Sequence, residues 1–358
     1  MKLSPQNFLE CAEFLGAKLS REAIWAGERC NWFGDQVTEV GTGVPVVAHR
    51  MCGSDYYSGT SGIAVFLGHL YAATGEKIFR TTAEGALRQA LSRLDHIPPG
   101  QRLDFRSGLI GIAHALLEMA KTCDIEKFSE LALLILEEIS SEVNDPMVVS
   151  PSAIRSLLKI HLDHPRDFLL QTALKLGEQL LPIGEFTSDP SLPLALLELY
   201  QVTEQKKFQQ AAEQAFVYQR KNLASVMGGN KAQSIPAAVG MTLLRAFETT
   251  VNDSYLDEAK LALSSNIQNE TEVDFSPARG LTGHVDLLIE AGRILPEEDY
   301  RSRAEIIGEF GIDRYKQHDL PWPCAATDGE LPGLMTGLAG IGYVYVRLWD
   351  STKVPSLI

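Results

Sequence analysis

Leu331-Pro332-Gly333-Leu334-Met335-Thr336-Gly337-Leu338-Ala339-Gly340-Ile341-Gly342-Tyr343 crowds glycines at the head of an apolar run that continues through Val344, Val346 and Leu348. Gly337 and Gly340 are three residues apart, so on a helix they share a face and admit another backbone at close range. The same device stands upstream at Gly59-Thr60-Ser61-Gly62, Gly108-Leu109-Ile110-Gly111 and Gly280-Leu281-Thr282-Gly283, each opening an apolar stretch in helical rhythm. Three weaker copies fill the gaps, at Ser150-Pro151-Ser152-Ala153, Ser188-Asp189-Pro190-Ser191 and Ile235-Pro236-Ala237-Ala238. The starts fall near 59, 108, 150, 188, 235, 280 and 337, a spacing that suits helix-pair repeats. Seven helical hairpins over almost the whole chain are predicted.

The second helix of each pair is legible as well. Residues 77–87, 206–216 and 254–260 each place an aromatic or leucine ahead of an alanine-rich face with charges opposite, the pattern of an outer helix lying on an inner one. Phe8, Cys11, Leu15 and Leu19 keep helical spacing, which predicts a helix over residues 5–27. Residues 30–54, rich in Gly, Val and Thr, read as an irregular or hairpin-like excursion, so that residues 1–54, an N-terminal helix and irregular lead-in, are part of the same single domain as the repeats over 55–358.

With 46 acidic against 32 basic residues the formal charge is −14, which argues against nucleic acid or an anionic membrane as main partner. An acidic surface also serves solubility alone. The five cysteines, Cys11, Cys30, Cys52, Cys123 and Cys324, are odd in number and scattered, so no disulfide framework is suggested. The first residues lack a signal-peptide core and no stretch has membrane-span length, so a cytoplasmic protein is expected.

The glycine-opened helices, the string Gly333 to Tyr343 and the ending Val354-Pro355-Ser356-Leu357-Ile358 resemble the LanC-like family, the lanthionine synthetase cyclases, over nearly the full length from Asp55. The resemblance implies an all-α fold, an α/α toroid of seven inner and seven outer helices, with an active site where the inner-helix N-termini converge. It implies zinc held by a cysteine in the fifth repeat and a Cys-His pair before the glycine of the sixth, activating a substrate thiolate for addition to a dehydroamino acid. Here the sequence departs. Gln233 or Ser234 stands at the first ligand position, Ala278-Arg279 at the Cys-His pair, and Phe186-Thr187-Ser188-Asp189 at a fourth-repeat histidine. The family zinc site is not retained, and no cofactor is expected. Cys52, with His49, and Cys324 lie on loops that could rebuild a metal site, but without metal-ligand spacing they read as ordinary buried thiols.

The loops do offer charged and hydroxyl groups. Arg279, Tyr57, His284, Asp104 and Arg106 are the candidate catalytic residues, and Asp55, Asp189, Asp274 and Asp328 the candidate substrate-binding ones. An arginine in place of a metal-binding pair supplies fixed positive charge to a thiolate, enolate or carboxylate; it could equally be a plug, paired with Asp274 or Asp104. Asp104 and Arg106 also read as a local ion pair, and His114 and His284 as packing histidines. Three functions follow: a zinc-independent lanthipeptide cyclase acting on a ribosomal precursor peptide, with Arg279 on the enolate and Tyr57 or His284 passing protons; a non-catalytic peptide-binding partner of a modifying enzyme; or a toroid repurposed for another reaction on a modified peptide. Dehydration would come from a separate enzyme.

Overall fold

The computed structural model describes residues 4–40, 44–143, 150–181, 189–227, 236–264, 274–296, 299–324 and 329–357. Among these the fold is all-α apart from two small hairpins. The inner helices are α2 (Thr60–Thr74), α4 (Leu109–Cys123), α6 (Pro151–Asp163), α8 (Leu192–Thr203), α10 (Ala237–Thr250), α12 (Leu281–Ile294) and α14 (Leu338–Trp349). Between them run the amphipathic α3 (Lys77–Leu91), α5 (Glu126–Ser140), α7 (Asp167–Leu180), α9 (Lys206–Met227), α11 (Asp253–Leu263) and α13 (Tyr300–Gly311). The expected repeat starts near 59, 108, 150, 280 and 337 stand at helix openings, while residues 188 and 235 lie outside the described residues, with α8 and α10 beginning at Leu192 and Ala237.

The partner of the last inner helix is not where the repeat count puts it. Among the described residues no outer helix follows α14; α1 (Pro5–Glu22) packs on it instead, so the N-terminal helix completes the seventh pair. That helix stops at Glu22, short of the expected boundary at residue 27. Ala23 is extended, and Gly27, at φ 64°, makes the tight turn of a hairpin pairing β1 (Ile24–Ala26) with β2 (Arg29–Asn31). The following excursion is a second antiparallel hairpin, β3 (Phe33–Val40) with β4 (Val44–Met51), in register from Phe33 opposite Met51 to Val40 opposite Val44.

The chain divides into two compact units, one of Met1–His96, Ala115–Glu130 and Glu270–Ile358, the other of Ile97–His114 and Leu131–Asn269. In the first, α14 packs against α2, α12 and α1. Small residues set these approaches: a Cβ on Gly342 would enter the Phe66 ring, one on Gly16 would meet Leu70 and Phe79, and one on Gly308 would meet Leu348 at 2.6 Å. Phe275, Tyr315, Trp322 and Tyr345 form a ring cluster, with Phe275 and Trp322 centroids 5.1 Å apart, a geometry that adds to area burial. In the second unit α8 packs with α6, α9 and α10, and Phe208 lies under Gly177.

Two charged residues inside α12 are enclosed together with a cation. Arg347 of α14 is 0% exposed and pairs with Asp286 and, at 2.5 Å, with Glu290. The C-terminal segment lies over this cluster: Arg347 Nε donates to the Val354 carbonyl at 3.1 Å, Ser356 Oγ and the Leu357 N–H donate to Asp286 at 2.8 and 3.0 Å, and Tyr343 Oη donates to the Pro355 carbonyl. Burial at this cost needs every partner present.

Candidate functional site

The loops entering four inner helices share one backbone closure. The first helical N–H reaches the carbonyl seven residues back: Thr60 to Gly53 at 2.9 Å, Leu109 to Arg102 at 2.8 Å, Leu281 to Asp274 at 2.9 Å and Leu338 to Leu331 at 2.7 Å. The glycine before each helix lacks a side chain for reasons of contact. A Cβ on Gly59 would sit 2.6 Å from the Gly53 carbonyl oxygen, and on Gly108, Gly280 or Gly337 it would collide with Gln101, Asp274 or Leu331 carbonyls. The second glycine makes room for the next loop: a Cβ on Gly62 would lie 2.6 Å from Leu334 Cβ, and one on Gly340 2.5 Å from Pro277 Cγ.

The loop aspartates make these turns. Asp55 accepts from the Ser58 and Gly59 N–H groups at 2.7 and 3.1 Å, Asp104 from the Ser107 N–H and Oγ at 2.9 and 2.6 Å, Asp189 from Ser191 N–H and Oγ at 2.9 and 2.6 Å, and Asp274 from the Ser276 N–H at 2.7 Å. Burial pushes the Asp55 carboxyl above its ordinary range, opposed by those donors from Ser58 and Gly59. Asp328 lies outside the described residues. In the second unit Asp104 turns onto Ser107, and Arg106 reaches across to Asp189 of the fourth-repeat loop at 3.5 Å. His114 stands edge-on to Phe105 at 5.4 Å.

In the first unit, three loops are stitched together at equivalent positions. The Ala278 N–H donates to the Met335 carbonyl at 3.0 Å and the Met335 N–H to the Tyr57 carbonyl at 2.8 Å. Each of these residues stands two before its helix-opening glycine. The row one residue earlier, Tyr56, Leu334 and Pro277, is buried; Tyr57, Met335 and Ala278 are half-buried; the row one residue later is Ser58 and Arg279, both exposed, with half-buried Thr336. Arg279 and Tyr57 are thus brought onto one ledge, beside the N-termini of α2, α12 and α14, where the helix dipoles favour negative charge although the leading N–H groups are closed onto loop carbonyls. Arg279 makes no ion pair among the described residues, with Asp274 or with any other group, so the plug reading has no partner in this loop.

His284 lies elsewhere. It sits on α12, 4% exposed, and burial, with the Arg303 charge in second place, pulls its pKa down to about 4. Cys52 and Cys324 are pushed up to about 12 by burial, with Asp55 adding at Cys52; Cys324 donates to the Trp322 carbonyl at 3.4 Å. Among the described residues no group of three or more His, Cys, Asp or Glu side chains is arranged to hold a metal ion. At the sixth-repeat position Ala278 has no donor atom and Arg279 cannot deprotonate to become one, so the residues present there do not fit zinc. Gln233, Ser234 and residues 186–188 fall outside the described residues.

Sequence reasoning missed both the stitched ledge and the Arg347 cluster. Backbone hydrogen bonds between loops leave no side-chain signature. The cluster did leave one, in Asp286 and Glu290 four residues apart on an inner helix whose neighbouring positions Val285, Leu287, Leu288 and Ile289 are apolar.

Residues 50–358 match the family described as lanthionine synthetase C-like protein. No curated protein matches the sequence significantly. Among solved structures, nisin cyclase aligns with a TM-score of 0.59 at 14% identity, over 83% of this chain and 89% of its own. At that identity the likeness concerns the fold alone, and the fold class is the expected α/α toroid. An unsaturated glucuronyl hydrolase specific for heparin aligns over 99% of this chain and 98% of its own at 11% identity with a TM-score of 0.49, from which nothing further follows.

Proposed function

The chain belongs to the lanthionine synthetase C-like family, and from that premise we propose that it is a zinc-independent peptide cyclase, adding cysteine thiols to dehydroamino acids in a ribosomally made peptide. A separate enzyme would dehydrate the peptide first. The observation that carries this reading is Arg279: an exposed cation, unpaired among the described residues, on a loop held by the Ala278–Met335 hydrogen bond at the place where the family resemblance puts zinc ligands.

The addition balances within the peptide. The thiolate sulfur forms a bond to the β-carbon, the alkene π pair moves toward the carbonyl to give an enolate, and the proton that left the thiol ends on the α-carbon. Nothing is lost, and the mass is unchanged. Arg279 would donate to the enolate oxygen, where a fixed charge beside three helix N-termini favours the developing negative charge. Tyr57, on the neighbouring loop, would pass the proton. His284 is left out of this scheme because its ring is enclosed on α12.

A second reading, a binding partner without chemistry of its own, draws support from the loop carboxylates: Asp55, Asp104, Asp189 and Asp274 each accept hydrogen bonds from their own loop. One assay separates the two. A peptide containing dehydroalanine and cysteine is incubated with the protein, and remaining free thiols are counted by alkylation and mass spectrometry. The cyclase reading expects closure above the spontaneous rate, lowered about a hundredfold in Arg279→Ala and less in Arg279→Lys. Closure at the background rate sinks it in favour of the binding partner.

A further inference from the structure

The stitched loops form two parallel rows. One is Tyr57, Met335 and Ala278, half-buried and largely apolar; the other is Ser58, Thr336 and Arg279, polar and more open. Under them Tyr56, Leu334 and Pro277 are enclosed, and the bare Cα positions of Gly62 and Gly340 receive Leu334 and Pro277 of the neighbouring loops. The surface is therefore built before any ligand arrives. Both rows run in the order first, seventh and sixth repeat, because the hydrogen bonds join Tyr57 to Met335 and Met335 to Ala278.

The rows differ from end to end. At one end stands the Tyr57 ring, in the middle the flexible Met335 side chain, which adapts to irregular apolar shapes. At the other end Ala278, the smallest of the three, leaves space beside the one cation of the strip, Arg279. Among the described residues the acids of these loops are engaged: Asp55 with Ser58 and Gly59, Asp274 with Ser276, and Glu330 with Lys18 and, at 3.0 Å, the Trp322 N–H. Arg279 is exposed and makes no ion pair among the described residues, so its guanidinium fork is open to a carboxylate in two-point contact.

We infer that this ledge is a recognition site for a short extended peptide segment, apolar side chains over Tyr57 and Met335 and a carboxylate on Arg279. The inference rests on the peptide-modifying reading above and supplies what that reading lacks, a chemical preference in the substrate. Neighbouring backbones joined by such hydrogen bonds lie about 4.8 Å apart, so three loops span about 10 Å, the length of about three extended residues at about 3.3 Å each. The carboxylate has two sources, a peptide C-terminus or an Asp or Glu side chain, and both present the same group to Arg279.

Binding of dye-labelled peptides, followed by fluorescence anisotropy, tests this directly. The probes are Gly-Phe-Leu-Ala as the free acid, the same peptide amidated, and an amidated Gly-Phe-Leu-Asp. None contains cysteine or a dehydro residue, so the outcome is independent of ring closure. If rings fail to close but the probes bind, the ledge stands and the cyclase reading falls. The expected result is saturable binding of at least one anionic probe, about tenfold tighter than the neutral amide, with Arg279→Ala abolishing that difference and Tyr57→Ala weakening every probe. Preference for the free acid assigns a chain terminus; preference for the Asp peptide assigns a side chain. Equal binding of acid and amide, a preference that survives Arg279→Ala, or no saturable binding up to millimolar protein overturns the inference. Circular dichroism melts of both variants confirm that they remain folded.

Discussion

Glycine does two different jobs in this chain, and substitution separates them. Gly75 ends α2 at φ 75° with nothing within 4 Å of the place a Cβ would take; Gly75→Ala therefore carries only the left-handed backbone penalty, about 1 kcal/mol. Gly337 is extended at φ −164°, yet its Cβ would collide with the Leu331 carbonyl that closes the seventh-repeat loop. Gly337→Ala must open that loop and break the Leu338 hydrogen bond, so a loss of about 2–4 kcal/mol is expected. Urea denaturation of both variants checks the contrast; a cost at Gly337 no larger than at Gly75 would refute the contact explanation. The glycine motif is legible in the sequence for this reason: steric exclusion fixes residue type. Close approach is also the right idea, but the approaching groups are mainly loop carbonyls and the next loop, with a neighbouring helix contacted through Gly342 and Phe66. Aspartate is harder to read, because a carboxylate that makes a turn and one that binds a ligand look alike in a string of letters. Spacing suggests Asp104 for Arg106, but its carboxylate lies with Ser107.

Among elements, the inner helices fall into two groups by how they start. Those at 60, 109, 281 and 338 begin with a closed glycine loop, whereas α6 and α8 carry proline in the first turn and α10 has Pro236 as its cap. Proline presets the helical φ where an N–H would be unpaired anyway, so the weaker repeats keep their helices by another route. The seventh pair is illegible in the sequence: its outer helix, α1, is separated from α14 by almost the whole chain, and periodicity carries no information about pairing at that range. The segment after α14 is the element most open to a test. Val354 to Leu357 supply one acceptor to Arg347 and two donors to Asp286. Removing residues 354–358 leaves those charges short of partners, and Arg347→Met takes the cation from the enclosed Asp286 and leaves Glu290 with the exposed Arg293 at 3.0 Å in place of a buried one. About 3–5 kcal/mol is expected for the latter, read by thermal or urea unfolding. The double variant Arg347→Met with Glu290→Gln should recover part of the loss; if it is worse than the single variant, the charge argument fails.

For the whole molecule, acid stability depends on an enclosed base as well as on the many carboxylates. His284 has a folded pKa of about 4, against an ordinary 6.5, held down first by burial and then by Arg303. Between those values the unfolded chain binds a proton that the native protein refuses, so stability falls as pH drops from 6.5 toward 4 and is insensitive to this group above that window. At about pH 4.5 the contribution amounts to about 2–3 kcal/mol. Urea titrations at about pH 7.5 and about pH 4.5 of the natural protein and of His284→Leu share every other titrating group, so the difference in their acid losses isolates this one. A loss of equal size in both would remove His284 from the account. Among the described residues no helix is long and apolar enough to cross a membrane.

The hydrogen bonds that join Tyr57, Met335 and Ala278 also impose a timetable. Met335 leaves the ribosome about 280 residues after Tyr57, which at about 5–20 residues per second is on the order of 14–56 s later. Until then the first-repeat loop lacks its seventh-repeat neighbour, and the N-terminal helix has no α14 to cover. A nascent chain therefore carries α1 matched only by its contacts with α2 and α3 for most of its synthesis, and the ledge comes into being only when translation has passed the seventh repeat. Any peptide this surface recognises can be engaged by the finished protein alone.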